Sequence, residues 1–284
     1  MNFDPNGKIQ KPALVALDLD GTLLDSRKRI TRRTLDALEA AAAQGVHIVP
    51  TTGRFFDAMP DCVRALPFVR YAVTINGAAV FDRAADAIVA REELALEKAL
   101  AVFDIFDRFD VIYDCYQENW GWITKSMVAK ADDYTPNAFY AEMTRTLRTR
   151  VPELKAYLRE KGRDIQKALA YARDPTILPG LMEALKAEIP GIFVTMSNPR
   201  MVEVNSEHCH KGNALRQLAA HLGFGIGAVM AFGDGLNDLT MVREAGTGVA
   251  MANAEPEVKA VAKIVTRSND EDGVAAVIER FLER

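Results

Sequence analysis

Two aspartates separated by one residue follow the first apolar run of the chain, in the segment Asp18-Leu19-Asp20-Gly21-Thr22. Alternate side chains of an extended chain point the same way, so Asp18 and Asp20 start out on one side. Like charges held that close are unfavourable unless a cation or a shared proton relieves them. A hard cation with oxygen ligands, such as Mg²⁺, suits the pair. On this segment alone, a simple turn at Asp20-Gly21 with Asp18 as a local cap is the alternative.

Three further polar segments could bind phosphate or metal. Residues 51–54 (TTGR) offer a hydroxyl and backbone N–H groups to a phosphate oxygen, although such turns are common. Lys211 opens a predicted helix, where it faces the positive end of the helix dipole. A phosphate dianion held by Lys211 and the helix N-terminus would offset this, and a solvated surface lysine is the alternative. Residues 233–238 (GDGLND) crowd two aspartates and an asparagine into one turn, which metal binding explains better than helix capping does.

All four segments lie at the predicted ends of strands, or at the start of a helix between them. Residues 13–17 form an unbroken apolar run, which is typical of a strand buried on both faces of a parallel sheet. Residues 46–49 and 228–232 predict two more strands, directly before the TTGR and GDGLND segments. Ligands of open α/β sheets bind at the carboxyl ends of strands, so we expect the four segments to meet there.

Helical and extended segments alternate through both ends of the chain. Such alternation predicts right-handed βαβ units with helices on both faces of the sheet, and therefore a doubly wound α/β fold. The predicted helices cover residues 30–43, 212–222, 239–245, 256–262 and 274–282. The other predicted strands cover residues 72–75, 78–81 (a hairpin arm) and 247–250.

The middle of the chain has a different pattern. Helix-like segments are mixed with strands that alternate apolar and polar residues, as in an antiparallel sheet with one solvated face. The predicted helices are 94–109 and 178–187, and the predicted strands are 111–116, 121–124, 192–195 and 201–204. We therefore predict an inserted α+β domain over residues 84–204, with a core formed by residues 1–83 and 205–284.

The four segments together resemble a known family. DxDGT, TGR, KG and GDGxND resemble the four motifs of the haloacid dehalogenase superfamily. The strings LDLDGTLL, TTGR, TINGA, KGNAL, FGDGLNDLTM and SNDEDGVA resemble its Cof-type sugar-phosphatase branch in particular. The resemblance runs from Lys11 to Arg284 except for the insert, whose position between the second and third motifs matches the cap of that branch. It implies a Rossmann-like parallel-sheet core with an α+β cap.

The resemblance also implies roles for individual residues. Asp18 resembles the nucleophile that forms an aspartyl-phosphate, and Asp20 resembles the general acid and base. The implied Mg²⁺ ligands are Asp18, Asp20 through its backbone carbonyl, and Asp234, with Asp238 supporting Asp234 or Lys211. Thr52 is preferred over Thr51 as the hydroxyl that binds phosphate. The implied substrate-phosphate-binding residues are Thr52, Gly53, Lys211 and Asn237.

The expected activity is Mg²⁺-dependent hydrolysis of a phosphate monoester of a small metabolite. Sugar phosphates are the usual substrates of the branch, while nucleotides and flavin or pyridoxal phosphates stay open. Dehalogenases of the superfamily lack the acid two positions after the nucleophile, so Asp20 argues against that activity. A phosphomutase and a non-catalytic protein that binds a phosphate ligand are the alternatives.

The composition of the chain limits the kinds of partner and the cellular location that we expect. The 284 residues carry a net charge of −4, which gives no reason to expect a nucleic-acid partner. No stretch approaches the roughly 18 apolar residues of a membrane span, and the polar start MNFDPNGKIQKP has no signal-peptide core. Three scattered cysteines (Cys62, Cys115 and Cys209) fit a reducing cytoplasm. The sequence leaves the oligomeric state open.

Two further groups of residues, one with histidines and one with tryptophans, are weaker indications of a functional site. His208-Cys209-His210 is interpreted as a loop at the hinge of the cap in preference to a zinc site. Trp120 and Trp122 alternate on a predicted strand and should face one side, either in the core of the cap or towards a substrate cleft.

Overall fold

A computed structural model describes residues 9–282 of the chain. The predicted absence of a signal peptide rests largely on residues 1–8, which lie outside this range. The chain divides into two compact units. The core unit comprises Met1–Arg91 with His210–Arg284, and the inserted unit comprises Glu92–Cys209.

The described residues form fourteen strands in three sheets. In chain order the strands are β1 (Leu14–Leu17), β2 (His47–Pro50), β3 (Tyr71–Thr74), β4 (Ala79–Asp82), β5 (Ala87–Arg91), β6 (Val111–Gln117), β7 (Trp120–Thr124), β8 (Arg148–Val151), β9 (Lys167–Ala172), β10 (Ile192–Asn198), β11 (Met201–Ser206), β12 (Val229–Gly233), β13 (Thr247–Ala250) and β14 (Ile264–Val265).

Twelve α-helices connect these strands within the described part of the chain. They are α1 (Arg32–Ala43), α2 (Asp61–Arg64), α3 (Leu96–Phe106), α4 (Lys125–Val128), α5 (Ala131–Tyr134), α6 (Ala138–Thr146), α7 (Leu154–Lys161), α8 (Leu178–Glu188), α9 (Lys211–His221), α10 (Leu239–Glu244), α11 (Pro256–Val261) and α12 (Gly273–Leu282).

The main sheet of the core unit is parallel and has the order β14-β13-β12-β1-β2. The chain passes from β1 to its neighbour β2 through α1. From β12 it crosses the sheet in the opposite direction, to β13 through α10 and then to β14 through α11. Right-handed crossovers in opposite directions place these helices on opposite faces of the sheet. Accordingly α1 packs against α12, and α9 packs against α10. The predicted α/β class with a doubly wound parallel core is confirmed.

A small antiparallel sheet, β3-β4-β5, extends the core unit. A single parallel bridge between Thr51 and Val73 joins it to the chain after β2. The sequence predicted a strand that reaches Ile75, but β3 ends at Thr74 because Ile75 and Asn76 both have left-handed backbones, with φ of 54° and 57°. The hairpin arm predicted over residues 78–81 is present as β4.

The inserted unit is built on a six-stranded sheet with the order β10-β11-β9-β6-β7-β8. All neighbouring pairs are antiparallel except β7 and β8. Residues of α3, α7 and α8 form a separate hydrophobic core with side chains from the strands. Trp122 packs against this core and stacks on Tyr157 with ring centroids 4.5 Å apart. Trp120 donates a hydrogen bond from Nε1 to Thr149 Oγ1 at 2.9 Å.

Charged side chains of the inserted unit form a buried cluster of their own, apart from its hydrophobic core. Arg148 Nε lies 2.9 Å from Asp114 Oδ2, and Lys167 Nζ lies 2.9 Å from Glu203 Oε1. All four side chains are almost fully buried, and the Tyr116 ring lies beneath both cations. Asp114, Lys167 and Glu203 occupy β6, β9 and β11, three neighbouring strands, and Arg148 reaches them from the first position of β8.

The boundaries of the two units differ from the predicted ones, 83/84 and 204/205. β5 pairs with β4 through Val80 and Ala90, so the chain stays with the core unit as far as Arg91. At the other end, β11 continues to Ser206 in the sheet of the inserted unit. An alternating strand pattern does not reveal which sheet a strand joins, and this is why the sequence placed both boundaries a few residues early.

Candidate active site

Asp18 lies at the carboxyl end of β1, the strand between β12 and β2. Its backbone N–H donates to the Phe232 carbonyl at 3.1 Å, which continues the parallel ladder by one residue. Its side chain is 11% exposed, and Oδ1 lies 2.6 Å from Lys211 Nζ. No hydrogen bond from any described residue reaches Oδ2. One oxygen of a nearly buried carboxylate therefore remains available to a ligand or an electrophile.

Lys211 begins α9 and is completely buried. Its ammonium group lies 2.6 Å from Asp18 Oδ1 and 2.6 Å from Asp238 Oδ1. Burial alone would lower the pKa of Lys211, but the charges of Asp18 and Asp238 outweigh it and raise this pKa. The alternative of a solvated surface lysine is therefore wrong, and Lys211 is a fixed positive charge at the carboxyl end of β1.

The GDGLND turn supplies the remaining carboxylates. Asp238 Oδ2 accepts hydrogen bonds from the backbone N–H groups of Asp234 and Gly235, at 2.9 and 3.0 Å. Asp238 therefore contacts both partners between which the sequence left a choice, Lys211 and the backbone of Asp234. Asp234 Oδ1 in turn accepts a hydrogen bond from Thr22 Oγ1 at 2.6 Å.

Three acidic side chains of this site could bind one metal ion. Ligand oxygens of Asp18, Asp234 and Asp238 lie within 4.8 Å of one another, and among residues 9–282 no other group of three or more acidic, histidine or cysteine ligands is this compact. Both oxygens of Asp238 already accept hydrogen bonds, whereas Asp18 and Asp234 each keep one oxygen without a bond from a described residue. An all-oxygen set of this kind fits a hard cation such as Mg²⁺.

The electrostatics of the site also favour a cation. Burial, followed by the charge of Asp238, raises the pKa of Asp18 to about 8. Burial likewise raises the pKa of Asp234 to about 6. Both shifts reflect negative charges that are poorly solvated and close together, and a divalent cation between them would offset that cost.

Asp20 has a different environment from Asp18. Its side chain is 39% exposed, and its oxygens lie 2.5 Å from Lys28 Nζ and 2.8 Å from Arg54 Nη2. Partial burial would raise the pKa of Asp20, but Arg54 and Lys28 outweigh it and hold the pKa below its usual value. The two aspartates that the sequence places on one side thus differ in burial and in the direction in which their pKa values are shifted.

The TTGR turn and the loop after β3 contact each other next to this site. The backbone N–H groups of Asn76 and Ile75 donate to the carbonyls of Thr52 and Arg54, both at 3.0 Å. Asn237 Nδ2 donates to Asn76 Oδ1 at 3.4 Å. A left-handed backbone is costly for a β-branched residue such as Ile75, and strain of this kind is concentrated at functional sites.

The two threonines of this turn are bonded differently. The Thr51 hydroxyl donates to the Val49 carbonyl at 3.2 Å within the strand region. Thr52 Oγ1 accepts a hydrogen bond from the Arg54 N–H at 3.3 Å, and its hydroxyl hydrogen has no acceptor among the described residues. This difference favours Thr52 as the hydroxyl that would bind phosphate.

Several residues of the site were not identified from the sequence. Thr22, Lys28, Arg54 and Asn76 all contact the predicted site residues through side chains. Arg54 and Asn76 stand inside the TTGR and TINGA strings that carry the resemblance, so their positions in those strings could have identified them. Lys28 belongs to no motif, and only the fold of the loop brings it to Asp20.

Gly21 shows how closely the DxDGT and GDGLND segments approach each other. Its φ is +87°, and a Cβ atom added there would lie 2.3 Å from Asp234 Oδ2. Any side chain would therefore displace the Asp234 carboxylate and strain the backbone. Glycine is therefore required at this position of the DxDGT motif, because of its positive φ and because of the adjacent Asp234 carboxylate.

Comparison with known proteins identifies the family. Residues 15–278 match the family described as haloacid dehalogenase-like hydrolase. The chain belongs to this family. The predicted membership of the haloacid dehalogenase superfamily and its Cof-type branch is thereby confirmed.

Two relatives of this haloacid dehalogenase-like hydrolase are named as phosphatases of particular substrates. The 5-amino-6-(5-phospho-D-ribitylamino)uracil phosphatase YcsE of Bacillus subtilis (strain 168) is 30% identical over 271 residues, which cover 95% of each chain. The pyridoxal phosphate phosphatase YbhA of Escherichia coli (strain K12) is 28% identical and covers 95% of this chain and 98% of its own.

A solved structure extends the similarity to the fold. The sugar phosphatase BT4131, of subclass IIB in the superfamily, has a TM-score of 0.75 and 26% identity, covering 94% of this chain and 98% of its own. This haloacid dehalogenase-like hydrolase is therefore a phosphatase. None of its helices within residues 9–282 is long and apolar enough to cross a membrane.

The His208-Cys209-His210 cluster has a structural role in this family member. His210 is the N-cap of α9, and its Nδ1 accepts a hydrogen bond from the Asn213 N–H at 3.0 Å. The cap fixes the first turn of the helix that begins with Lys211. No zinc ligand group includes these residues among those described.

Proposed function

We propose that this phosphatase hydrolyses phosphate monoesters of small metabolites through a phosphorylated Asp18. The observation that carries the proposal is the buried ammonium group of Lys211 between Asp18 and Asp238. A carboxylate can attack an anionic phosphate only where fixed positive charge offsets the repulsion. Lys211 supplies such a charge beside the available oxygen of Asp18.

The proposed reaction has two steps. An Asp18 oxygen forms a bond to phosphorus while the ester P–O bond breaks, and the departing alkoxide takes a proton from Asp20. Asp20 then accepts a proton from water, whose oxygen attacks phosphorus and breaks the bond to Asp18. The products are an alcohol and inorganic phosphate, and Asp18 and Asp20 return to their first states.

Asp20 must gain a proton before it can act as the acid. In the substrate-free protein Lys28 and Arg54 favour its ionised form. A bound phosphate dianion would compete for both cations and add negative charge nearby, and each effect raises the pKa of Asp20. We therefore propose that substrate binding itself prepares the acid.

A Mg²⁺ ion would be held by Asp18, Asp234 and the backbone carbonyl of Asp20, with Asp238 supporting Lys211 and the turn. Bound there, Mg²⁺ would supply a Lewis acid that neutralises charge on the phosphoryl group. Phosphate oxygens would be bound by the side chains and backbone groups of Thr52, Gly53, Lys211 and Asn237.

The substrate is proposed to be a sugar phosphate or a related phosphorylated alcohol. Three relatives support this range, because their names give a sugar phosphatase, a phospho-ribitylamino-uracil phosphatase and a pyridoxal phosphate phosphatase. The free thiols of Cys62, Cys115 and Cys209 support a cytoplasmic location.

Phosphate release from a panel of sugar, polyol, nucleotide and cofactor phosphates tests the proposal, with Mg²⁺ and with EDTA. We expect Mg²⁺-dependent release of inorganic phosphate, fastest with a sugar or polyol phosphate. A phosphomutase would instead give an isomeric phosphate ester and no inorganic phosphate. Binding of phosphate esters with neither product would favour a non-catalytic protein.

The variant Asp234→Ala is expected to raise the Mg²⁺ concentration for half-maximal activity by at least about tenfold, since it removes a carboxylate from the metal site. Activity measured against Mg²⁺ concentration checks this. Glu257→Ala, which removes an exposed acid from α11, is the control and should leave the titration unchanged. A Mg²⁺ titration of Asp234→Ala that coincides with the wild type would remove Asp234 from the ligand set.

A further inference from the structure

Residues 253–270 are bonded to the loop that carries Asp20, although none of them takes part in the proposed chemistry. Asn253 Nδ2 donates to the Gly21 carbonyl at 2.8 Å. Asn269 Nδ2 donates to the Leu24 carbonyl at 2.9 Å. The contacts span more than 220 positions of sequence, so they join two parts of the core unit that are far apart in the chain.

A third contact completes the attachment. Asp270 Oδ1 accepts a hydrogen bond from the Ser26 N–H at 2.8 Å. The two asparagines are also bonded to each other, because the Asn269 N–H donates to Asn253 Oδ1 at 3.2 Å. The backbone of Asn269 therefore helps to orient the Asn253 amide that bonds the Gly21 carbonyl.

The segment that provides these contacts is itself well anchored. The Ala252 N–H donates to the Arg267 carbonyl at 3.2 Å, and the Gly273 N–H donates to the Ser268 carbonyl at 3.1 Å. Ser268 and Glu271 form a reciprocal capping box ahead of α12. The two asparagine amides thus extend from a fixed support towards the loop.

The loop also has restraints of its own, because Thr22 donates to Asp234, the Leu23 N–H donates to the Asp18 carbonyl, and the Asp20 carboxylate contacts Lys28 and Arg54. Its backbone bends sharply at Gly21, and the Asp20 side chain is 39% exposed. The Leu24 N–H donates to the Leu19 carbonyl at 2.9 Å, and a bridge pairs Leu24 with Asp20. Asn253 bonds the carbonyl of Gly21, the residue directly after Asp20, and Asn269 bonds the carbonyl of Leu24, the residue that pairs with Asp20. Both ends of the turn are fixed by the same support.

We propose that Asn253 and Asn269 are positioning residues that fix Asp20 for proton transfer. The proposal rests on the acid–base role given to Asp20 under the proposed function. Proton transfer requires heavy-atom distances near 2.6–3.2 Å, so a loop that samples other positions lowers the rate of chemistry. Substrate phosphate is held by other segments, and its affinity does not depend on these asparagines.

Hydrogen exchange of the substrate-free protein tests the attachment without reference to activity. In Asn253→Ala and Asn269→Ala, we expect amides of the peptide covering residues 18–26 to exchange at least about tenfold faster than in the wild type. The matched control is again Glu257→Ala, whose exposed side chain lies on the nearby helix α11 and should leave this peptide unchanged. Unaltered exchange in both asparagine variants would overturn the proposal.

Steady-state kinetics test the consequence for catalysis. We expect kcat to fall about tenfold in both alanine variants while KM stays within about twofold, because binding and positioning are separate. Asn253→Asp keeps the size of the side chain but, when ionised, cannot donate to the Gly21 carbonyl, so it should lose as much kcat as Asn253→Ala. Full kcat in Asn253→Asp, or a loss confined to KM, contradicts the positioning role.

The two experiments separate this proposal from the proposed function. If the wild-type protein releases no phosphate from any ester, the proposed function fails and the acid–base consequence fails with it. Faster exchange in the asparagine variants would in that case still establish the attachment of the loop.

Discussion

Replacing Asp18 with asparagine is expected to abolish phosphate release, by on the order of 10⁴-fold or more, while the protein folds and still binds substrate. The amide cannot form the acyl phosphate on which the proposed pathway depends. Lys211 keeps its contact with Asp238, so the buried ammonium group retains an anionic partner in the variant. We therefore expect kcat to decrease while substrate affinity is kept.

The same variant should not be less stable than the wild type in metal-free buffer. The pKa of Asp18 is raised to about 8, chiefly by burial, so the ionised carboxylate is disfavoured in the folded protein relative to the unfolded chain at neutral pH. Asparagine removes that cost at nearly the same volume. A residue kept despite such a cost is characteristic of active sites, where function opposes stability.

Two measurements check the Asp18 prediction. Phosphate release should be undetectable in Asp18→Asn and normal in Asp36→Asn, a control that alters an exposed carboxylate on α1. Mass spectrometry of acid-quenched wild-type protein with substrate should find phosphate on the peptide that contains Asp18. Activity of Asp18→Asn within a few-fold of the wild type would exclude Asp18 as the nucleophile.

Replacing Arg148 with alanine is expected to destabilise the inserted unit by about 3–5 kcal/mol. Arg148 Nε lies 2.9 Å from Asp114 Oδ2, and both side chains are at most 1% exposed. Among the described residues Asp114 Oδ1 has no hydrogen-bond partner, and Arg148, ahead of Lys167, is the cation that most favours the ionised carboxylate. The variant leaves a buried negative charge with its nearest partner gone.

The loss of stability should depend on pH. Burial already raises the pKa of Asp114, and the arginine opposes that increase, so the pKa should rise further in Arg148→Ala. The folded variant then binds more protons than the unfolded chain, and its stability increases as the pH falls towards the ordinary carboxyl pKa of 3.8. The deficit relative to the wild type should therefore be larger at pH 7 than at pH 5.

Tryptophan fluorescence can follow this unit by itself, because the only two tryptophans of the chain, Trp120 and Trp122, lie in β7. Urea unfolding at pH 7 and pH 5 should show a lower midpoint for Arg148→Ala. Arg150→Ala, on the same strand but exposed, is the control and should match the wild type. An equal midpoint for both variants would mean that the buried pair contributes no net stability.

The sequence predicted the core unit well because its signals are local. Unbroken apolar runs coincide closely with β1, β2 and β12, and the polar turns follow them directly. The closeness of Asp18 and the GDGLND turn could be anticipated for the same reason, since parallel strands bring their carboxyl ends together. The parts of Lys211 and Asp238 were implied only by the resemblance. The left-handed backbone of Ile75 could not, because a β-branched residue in an apolar run predicts a strand.

The inserted unit was harder to predict because two of its strands contain buried charged residues. β8 reads Arg-Thr-Arg-Val and shows no apolar pattern, and β9 is apolar except for the buried Lys167 at its first position. Their charges are matched by Asp114 and Glu203 on other strands, far away in the sequence. Only the folded sheet reveals that these polar residues are interior ones.

The position of β1 between β12 and β2 sets the order in which the chain can mature during synthesis. β1 leaves the ribosome early, yet one of its two neighbours, β12, begins at Val229, after the whole of the inserted unit. The inserted unit is continuous in sequence and can therefore fold first, whereas β1 keeps an unpaired edge until the last fifth of the polypeptide appears. Asp234 and Asp238 follow β12 in the chain, so the cluster that Asp18 and Lys211 form with them is not complete until translation is almost finished.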